Sequence, residues 1–372
     1  MKKTFASGNM AIAEGAITAG LKFFAGYPIT PSSEILEYLA DRLPSLGGVV
    51  VQFEDEIASI MAAIGASWAG AKSMTATSGP GFSLMAEALG LAVITETPIV
   101  IVNVMRAGPS TGVPTKTSQS DVFQARWASH GDYIIPVFAP WSVQEAYDLT
   151  VKAFNVAEKL RTPVVLLSDA IIAHTWEPLT IYEPGEIEVV NRKMPSKVTK
   201  VLPYMPDADL VPSMPIFGQG FKSLVESLVH DERGFYAPTN EAYRALVRRL
   251  VLKVTKNIDY IFEVEAMHLD DAEVAVVSYG STARSAYIAV RELRKRGIKA
   301  GFMRLKTLWP IDSDKLVSLC KAGKIFVVEN NIGKVYMDID RVFKDREVYS
   351  VPVLSLELPT PKEVLEGVES WL

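Results

Sequence analysis

Between residues 8 and about 187 the chain alternates short, mainly apolar runs with stretches whose apolar residues recur every three or four positions. The runs, 21–25, 48–53, 73–76, 99–105, 133–138 and 163–168, predict strands buried on both faces. The stretches between them, 11–20, 33–43, 57–68, 83–94 and 143–159, predict amphipathic or buried helices. Strands and helices in alternation imply an α/β fold, a doubly wound, mostly parallel sheet covered on both faces. Such sheets take ligands outside the carboxyl ends of their strands. The loops expected to gather there are 27–33, 54–56, 77–81 and 106–117.

The alternation fails over residues 188–267. Pro195, Pro203, Pro206, Pro212 and Pro215 interrupt it around one clear helix at 241–255, so this stretch reads as an irregular connection wrapping a partner or the other domain. It resumes in 268–372 with strands at 274–279, 300–304, 325–328 and near 351–356, and helices at 282–296 and 314–321. These define a second, smaller α/β domain. Gly280, Ser281 and Thr282 supply a polar start to the first of those helices, and Gly297 suits its end. The expected division is therefore 1–187, 188–267 and 268–372.

The most informative stretch is 49–81. An apolar run leads into Glu54, Asp55 and Glu56, then a helix rich in Ala and Gly, a second run, and the turn Thr77-Ser78-Gly79-Pro80-Gly81. Small residues at helical spacing let a backbone or a flat ligand approach closely. Acids in a first turn are also common simply because they complement the helix dipole. Two other loops carry candidate chemistry. In 26–34, Thr30 suits an N-cap and Pro31 the first helical position, which an ordinary capped helix explains as well as an anion site does. Arg106 follows a strongly apolar strand, where a guanidinium needs an anionic partner, either a protein carboxylate or a bound substrate carboxylate.

Composition narrows the class. The chain has 372 residues, 49% hydrophobic and 22% charged, with a net charge of −5, which suits a soluble globular protein and argues against nucleic acid or an anionic membrane as partner. No apolar run of membrane-spanning length and no signal-peptide core is present, so the cytoplasm is the expected location. Cys320 is the only cysteine, and the four histidines are scattered, so no metal or iron–sulfur site is expected on this chain.

The segment 49–81 resembles the pyrimidine-binding domain of thiamine-diphosphate enzymes, and the layout of 268–372 resembles the transketolase C-terminal domain. The first resemblance implies that Glu56, with Glu54 in reserve, hydrogen-bonds N1′ of the cofactor's aminopyrimidine, and that Ser78 and Gly79 lie at the cofactor. YPITPSSE (27–34), EDEIAS (54–59), TATSGPGFSLM (75–85) and RAGPSTGVPT (106–115), in this order, resemble the alpha subunit of 2-oxoacid:ferredoxin oxidoreductases. HDERG (230–234) and VVENNIG (327–333) resemble the members acting on 2-oxoglutarate. By that resemblance Thr30 and Tyr27 meet the substrate, Arg106 pairs with its carboxylate, and Thr115 lines the pocket. Asn330 and Lys334 depart from the Met and Gln of the family pattern, which leaves that motif's part in a subunit contact open. HDERG by residue types alone reads as surface ion pairing.

The chain has no Gly-Asp-Gly…Asn motif for the Mg²⁺ that holds the diphosphate, since Gly131-Asp132-Tyr133 lacks the second glycine. Together with the missing cysteines, this implies a division of labour. An obligate beta subunit would carry Mg²⁺ and the iron–sulfur cluster, with gamma and delta subunits as further candidates, ferredoxin as acceptor, and a 2-oxo acid and coenzyme A as substrates. The rivals are another thiamine-diphosphate dehydrogenase or synthase subunit, and a non-catalytic assembly subunit that keeps the fold.

Overall fold

The computed structural model describes residues 1–196 and 201–371; residues 197–200, within the stretch read as irregular, and residue 372 lie outside the described residues. One sheet has seven strands in the order Thr307–Trp309, Val137–Phe138, Val164–Asp169, Val100–Met105, Ser73–Thr77, Phe23–Gly26 and Val49–Gln52. All neighbours in it are parallel except the first pair. Chain order runs outward in one direction from Phe23–Gly26 to Val49–Gln52, then resumes on its other side at Ser73–Thr77. The crevice beyond the carboxyl ends of Phe23–Gly26 and Ser73–Thr77 is therefore the switch point, where open α/β sheets bind ligands.

The second sheet has five strands in the order Glu347–Pro352, Lys324–Glu329, Val274–Tyr279, Ala300–Leu305 and Val264–Met267, the last antiparallel to its neighbour. Its own switch point lies between Val274–Tyr279 and Lys324–Glu329. The α/β class and the doubly wound arrangement expected from the sequence are what the chain adopts. A separate antiparallel ribbon pairs Lys2–Ser7 with Trp176–Ile181.

Alternation of side chains along each strand sorts them into three cores. Val100, Val102 and Val104 pack outward under the helices Gly8–Thr18 and Val143–Leu160. Ile101, Val165 and Leu167 face inward and share a core with Val277, Tyr279 and Met303 of the second sheet. Val276 and Phe302 pack on the far side beneath Thr282–Lys295 and Pro361–Glu369. Residues of both sheets thus bury a common face, and Thr307–Trp309 crosses over to extend the larger sheet.

Several expectations shift in detail. The strand expected over 133–138 shrinks to Val137–Phe138, because Pro136 has no N–H to give a ladder. The helix expected over 83–94 is two, Gly79–Leu84 and Ala86–Ile94, and starts early because Ser78 takes the N-cap position with Pro80 in the first turn. Thr30 is not a cap: the second helix is Ser33–Arg42 with Ser32 at the N-cap, and the Thr30–Pro31 peptide is cis. The Ser32 hydroxyl donates back to the Ile29 carbonyl at 2.8 Å. Ser281 does hold the cap position before Thr282–Lys295, but its hydroxyl makes no cap bond; its N–H donates to Asp169 Oδ2 at 3.0 Å.

The irregular stretch is fastened to the first domain by buried charge. Arg192 grips Glu158 through Nε at 2.9 Å and Nη2 at 2.5 Å, and Arg161 Nη1 donates to the Pro203 carbonyl at 2.8 Å. Glu96, fully buried, accepts from Lys253 Nζ at 2.8 Å and from Arg249 at 2.8 and 3.0 Å. Burial alone raises an acid, yet Lys253, Arg249 and Arg161 together hold this one at about 2. In HDERG, Arg233 and Asp231 do pair at the surface. His230, by contrast, is buried against Tyr204, with ring centroids 4.0 Å apart.

Candidate functional site

The helix Glu56–Trp68 begins where the strand Val49–Gln52 ends, and its start separates the three acids. Asp55 is the N-cap, its Oδ1 accepting the Ala58 N–H at 2.8 Å. Glu54 is exposed. Glu56 alone turns inward, with 4% of its surface accessible. Burial pushes its carboxyl above the ordinary value and nearby Asp55 adds to this, while its backbone N–H, the Thr77 hydroxyl and the Arg106 charge pull the other way.

The turn after Ser73–Thr77 closes on this carboxylate. A Cβ placed on Gly81 would lie 2.1 Å from Thr77 Oγ1 and 2.2 Å from Glu56 Oε1, so both side chains occupy the space that only glycine leaves free. Ser78 is fully buried, and its hydroxyl, which at an N-cap ordinarily bonds the helix, has no partner among the described residues. Gly79 begins the helix beside it.

Arg106 leaves the end of Val100–Met105, 6% accessible, and donates through Nη1 to the Thr30 carbonyl at 2.7 Å. Its Nε has no partner, and no carboxylate among the described residues forms an ion pair with it. Burial lowers its proton affinity, opposed at longer range by Asp121 and Glu56. A tight hairpin follows, with Val113 N–H donating to the Ala107 carbonyl at 2.8 Å. Gly112 is left-handed there, and any Cβ would fall 1.7 Å from the Ala107 carbonyl oxygen.

A cavity of about 400 Å³ opens between this hairpin and the Gly79–Leu84 helix, lined among others by Gly79, Ser83, Arg106, Gly108, Asp121 and Gln124. A larger cavity of about 780 Å³ beside Trp309 and Arg341 contains none of the residues singled out from the sequence. Glu56, Ser78, Gly79, Thr30 and Arg106 are thus brought to one switch point. Tyr27 stands 40% exposed on the adjoining loop, and Thr115 is exposed outside the cavity lining. Asp121 and Asn103 were not singled out from sequence. A polar residue in the otherwise apolar run VIVNVM was the available signal for Asn103; nothing local marks Asp121.

Among the described residues no group of three or more His, Cys, Asp or Glu side chains is placed to hold a metal ion. No helix among them is long and apolar enough to cross a membrane. For thiamine diphosphate the residues fit: an inward carboxylate, an orphaned hydroxyl and a glycine turn with no room for a side chain face one crevice.

Residues 14–249 match the pyruvate flavodoxin/ferredoxin oxidoreductase thiamine-diphosphate-binding family, and 272–356 match core domain II of pyruvate:ferredoxin oxidoreductase. The chain is thus a thiamine-diphosphate-binding α/β protein. It is 50% identical over 369 residues to the 2-oxoglutarate synthase subunit KorA of Methanocaldococcus jannaschii, covering 99% of this chain and 100% of that one. It superposes on 2-oxoglutarate:ferredoxin oxidoreductase from Magnetococcus marinus, solved with 2-oxoglutarate, coenzyme A and succinyl-CoA bound, with a TM-score of 0.93 at 35% identity. That match covers 99% of this chain and 65% of the longer neighbour. A split-gene transketolase shares the fold at a TM-score of 0.57 and 14% identity over 98% of this chain and 96% of its own. The chain belongs to the 2-oxoacid:ferredoxin oxidoreductases, as an alpha subunit of that enzyme family.

Proposed function

We propose that this chain supplies the pyrimidine half-site and the substrate anchor of a cytoplasmic enzyme that oxidatively decarboxylates 2-oxoglutarate to an acyl-CoA and CO₂, reducing ferredoxin. The Methanocaldococcus and Magnetococcus relatives are both 2-oxoglutarate enzymes by name, which favours that substrate over other 2-oxo acids. The observation that carries the reading is Arg106, a buried cation at the wall of a cavity; no carboxylate among the described residues forms an ion pair with it.

Thiamine diphosphate, when bound, supplies the carbon nucleophile that 2-oxo acid decarboxylation requires. Glu56, kept from water, holds its hydrogen bond toward the aminopyrimidine. Ser78 and Gly79 line that side of the crevice. Arg106, steadied by the Thr30 carbonyl, offers its free guanidinium edge to the substrate carboxylate, with Thr30 and Tyr27 on the same rim. Thr115, outside the cavity in this chain alone, faces the pocket once the beta subunit is seated. Mg²⁺ and the iron–sulfur cluster belong to that beta subunit, in complexes that gamma and delta subunits complete. The division into 1–187, 188–267 and 268–372 forms part of the same proposal.

The test uses the chain assembled with its partner subunits and follows coenzyme A-dependent reduction of ferredoxin or a viologen by 2-oxoglutarate. Glu56→Gln should assemble normally and retain less than about a tenth of the turnover, given the size of acid–base contributions. Retention above that level would take Glu56 out of the reaction, and full activity of the partner subunits alone would make this chain an assembly factor.

A further inference from the structure

Two buried carboxylates near this site show what a full set of donors looks like. Glu329 accepts from the Tyr279 hydroxyl at 3.0 Å, from Asn331 Nδ2 and the Val335 N–H at 2.9 Å each, and from the Tyr336 N–H at 2.9 Å. Asp169 accepts from the N–H groups of Ile171 and Ile172 at 3.1 Å and of Ser281 at 3.0 Å. Asp121, on the wall of the Arg106 cavity, accepts one bond, from Asn103 Nδ2 at 3.1 Å. It occupies the N-cap position of a short helix, Val122–Arg126, yet its side chain caps nothing. A carboxylate can accept about four hydrogen bonds. Asp121 is therefore a half-buried acid with one protein donor, facing the same space as Arg106, with which no carboxylate among the described residues forms an ion pair.

The charges around it are Arg106 from the end of Val100–Met105, Lys334 from the loop before Tyr336–Val342, and Glu56 beyond Arg106. The amino end of Gly79–Leu84 lies on its other side, where a Cβ on Gly79 would be 3.5 Å from Asp121 Oδ2. In the free site Arg106 and Asp121 offset each other's charge at a distance longer than an ion pair. A substrate carboxylate on Arg106 takes over that role and puts a second negative charge beside Asp121. Like charges in one poorly hydrated cavity cannot both stay ionised cheaply.

We propose that Asp121 takes up one proton from solvent when a substrate carboxylate binds Arg106, and that in this neutral form it donates a hydrogen bond to the bound 2-oxo acid. This rests on the reading of Arg106 as the substrate anchor. The acid is predisposed to it, because burial already pushes its carboxyl up against the pull of Asn103, Lys334 and Arg106. The proton is held rather than transferred to a reacting atom, so Asp121 sets substrate affinity and its pH dependence. The acid also gives selectivity: a ligand without a carboxylate has no means of driving the protonation.

The experiment measures KM for 2-oxoglutarate against pH in the assembled enzyme, and the binding enthalpy of 2-oxoglutarate in buffers of different ionisation enthalpy. The calorimetry uses Glu56→Gln enzyme, so that no turnover intrudes. The wild-type KM should rise by about tenfold per pH unit above the free acid's titration, and the calorimetric slope should approach one proton taken up per substrate. In Asp121→Asn, which keeps a donor and loses the titration, KM should be flat with pH and the proton uptake should vanish from the Glu56→Gln background. A flat KM and no proton uptake without the Asp121 change would overturn the inference with no reliance on the variant's folding. An unchanged pH slope in Asp121→Asn would overturn it equally. Arg106→Ala separates the two levels. Normal turnover there removes the anchor reading itself, whereas a raised KM with a pH-independent wild type removes only Asp121.

Discussion

Replacing Gly81 by alanine is the most exacting perturbation of this site, since one methyl group reaches its two key side chains together. The added carbon would sit 2.1 Å from Thr77 Oγ1 and 2.2 Å from Glu56 Oε1. Carbon and oxygen settle at roughly 3.5 Å, so both contacts must open by more than about 1 Å. Thr77 is wholly buried and has little room, so its contact opens by a shift of the turn, and the Glu56 carboxylate is displaced as well. A misplacement of that size costs on the order of 100-fold when a group must meet a reacting partner, about 2.7 kcal/mol of activation free energy. The fold is affected less, because the Glu56 contact is the end of a longer side chain and the backbone at Gly81 is already helical. Gly81→Ala, assembled with its partner subunits, should therefore lose about two orders of magnitude in 2-oxoglutarate-dependent viologen reduction while its thermal unfolding shifts by only a few degrees. Activity within threefold of wild type would show that the position of Glu56 is not what limits the reaction, and the geometric reasoning would fall with it.

Arg106→Lys keeps the charge but loses the planar fork and the bond to the Thr30 carbonyl; kcat/KM for 2-oxoglutarate should fall by about 1.5–3 kcal/mol, roughly 10- to 150-fold, as steady-state kinetics will show. Glu96 gives a pH dependence of stability with a definite sign. Its folded value of about 2 lies below the ordinary 4.5, so its contribution is complete above about pH 4.5 and is lost as pH falls toward 2. At 1.36 kcal/mol per unit this amounts to about 3 kcal/mol. Glu96→Gln should be less stable at neutral pH, because Lys253 and Arg249 lose their partner, and its stability should change less steeply between pH 4.5 and 2 in denaturant titrations. An unchanged slope would mean that other carboxylates govern acid unfolding.

The parts of the fold that could be read from sequence are those dictated by local periodicity. The helices Ser33–Arg42, Glu56–Trp68 and Val143–Leu160 fall within a residue or two of their apolar patterns, because each buries one face against a strand adjacent in sequence. Thr307–Trp309 could not be read this way. Its partner, Val137–Phe138, is 170 residues away, and three residues carry no period. Thr30 was misjudged as a cap because Pro31 looked like a first helical residue, whereas the chain turns once more through a cis peptide before Ser33. At the site, the family resemblance pointed to Glu56 with Glu54 in reserve, while the acidic pattern alone left all three acids as dipole partners; in the structure only Glu56 of the three is buried. Within the chain VVENNIG has a structural role: Glu329 and Asn331 are buried, and Lys334 bonds the Ser120 carbonyl at 2.5 Å. That role depends on the 117–121 segment arriving from the other domain, which no local pattern encodes.

That segment explains why the switch points of the two doubly wound sheets differ. Each sheet has a switch point, and each should attract a ligand by the same logic of strand ends and helix starts. In the second sheet the space is taken by Gln119. Its Nε2 donates to the Tyr279 carbonyl at 2.9 Å, its Oε1 accepts the Asn330 N–H at 2.9 Å, and a Cβ on Gly280 would come within 2.7 Å of its amide nitrogen. The Tyr279 carbonyl and the Asn330 N–H, which a ligand would use there, are met by a side chain of the same polypeptide. At the first switch point the reverse holds: Arg106 Nε, Ser78 Oγ and Asn103 Oδ1 are buried and unmatched. Leaving such groups without partners costs about 1–3 kcal/mol each, a cost that a bound ligand would relieve. Gln119 and Asp121 stand two residues apart, so the plug that closes one crevice also holds the acid on the wall of the other. The second domain, its own switch point filled by Gln119, thus fixes that wall.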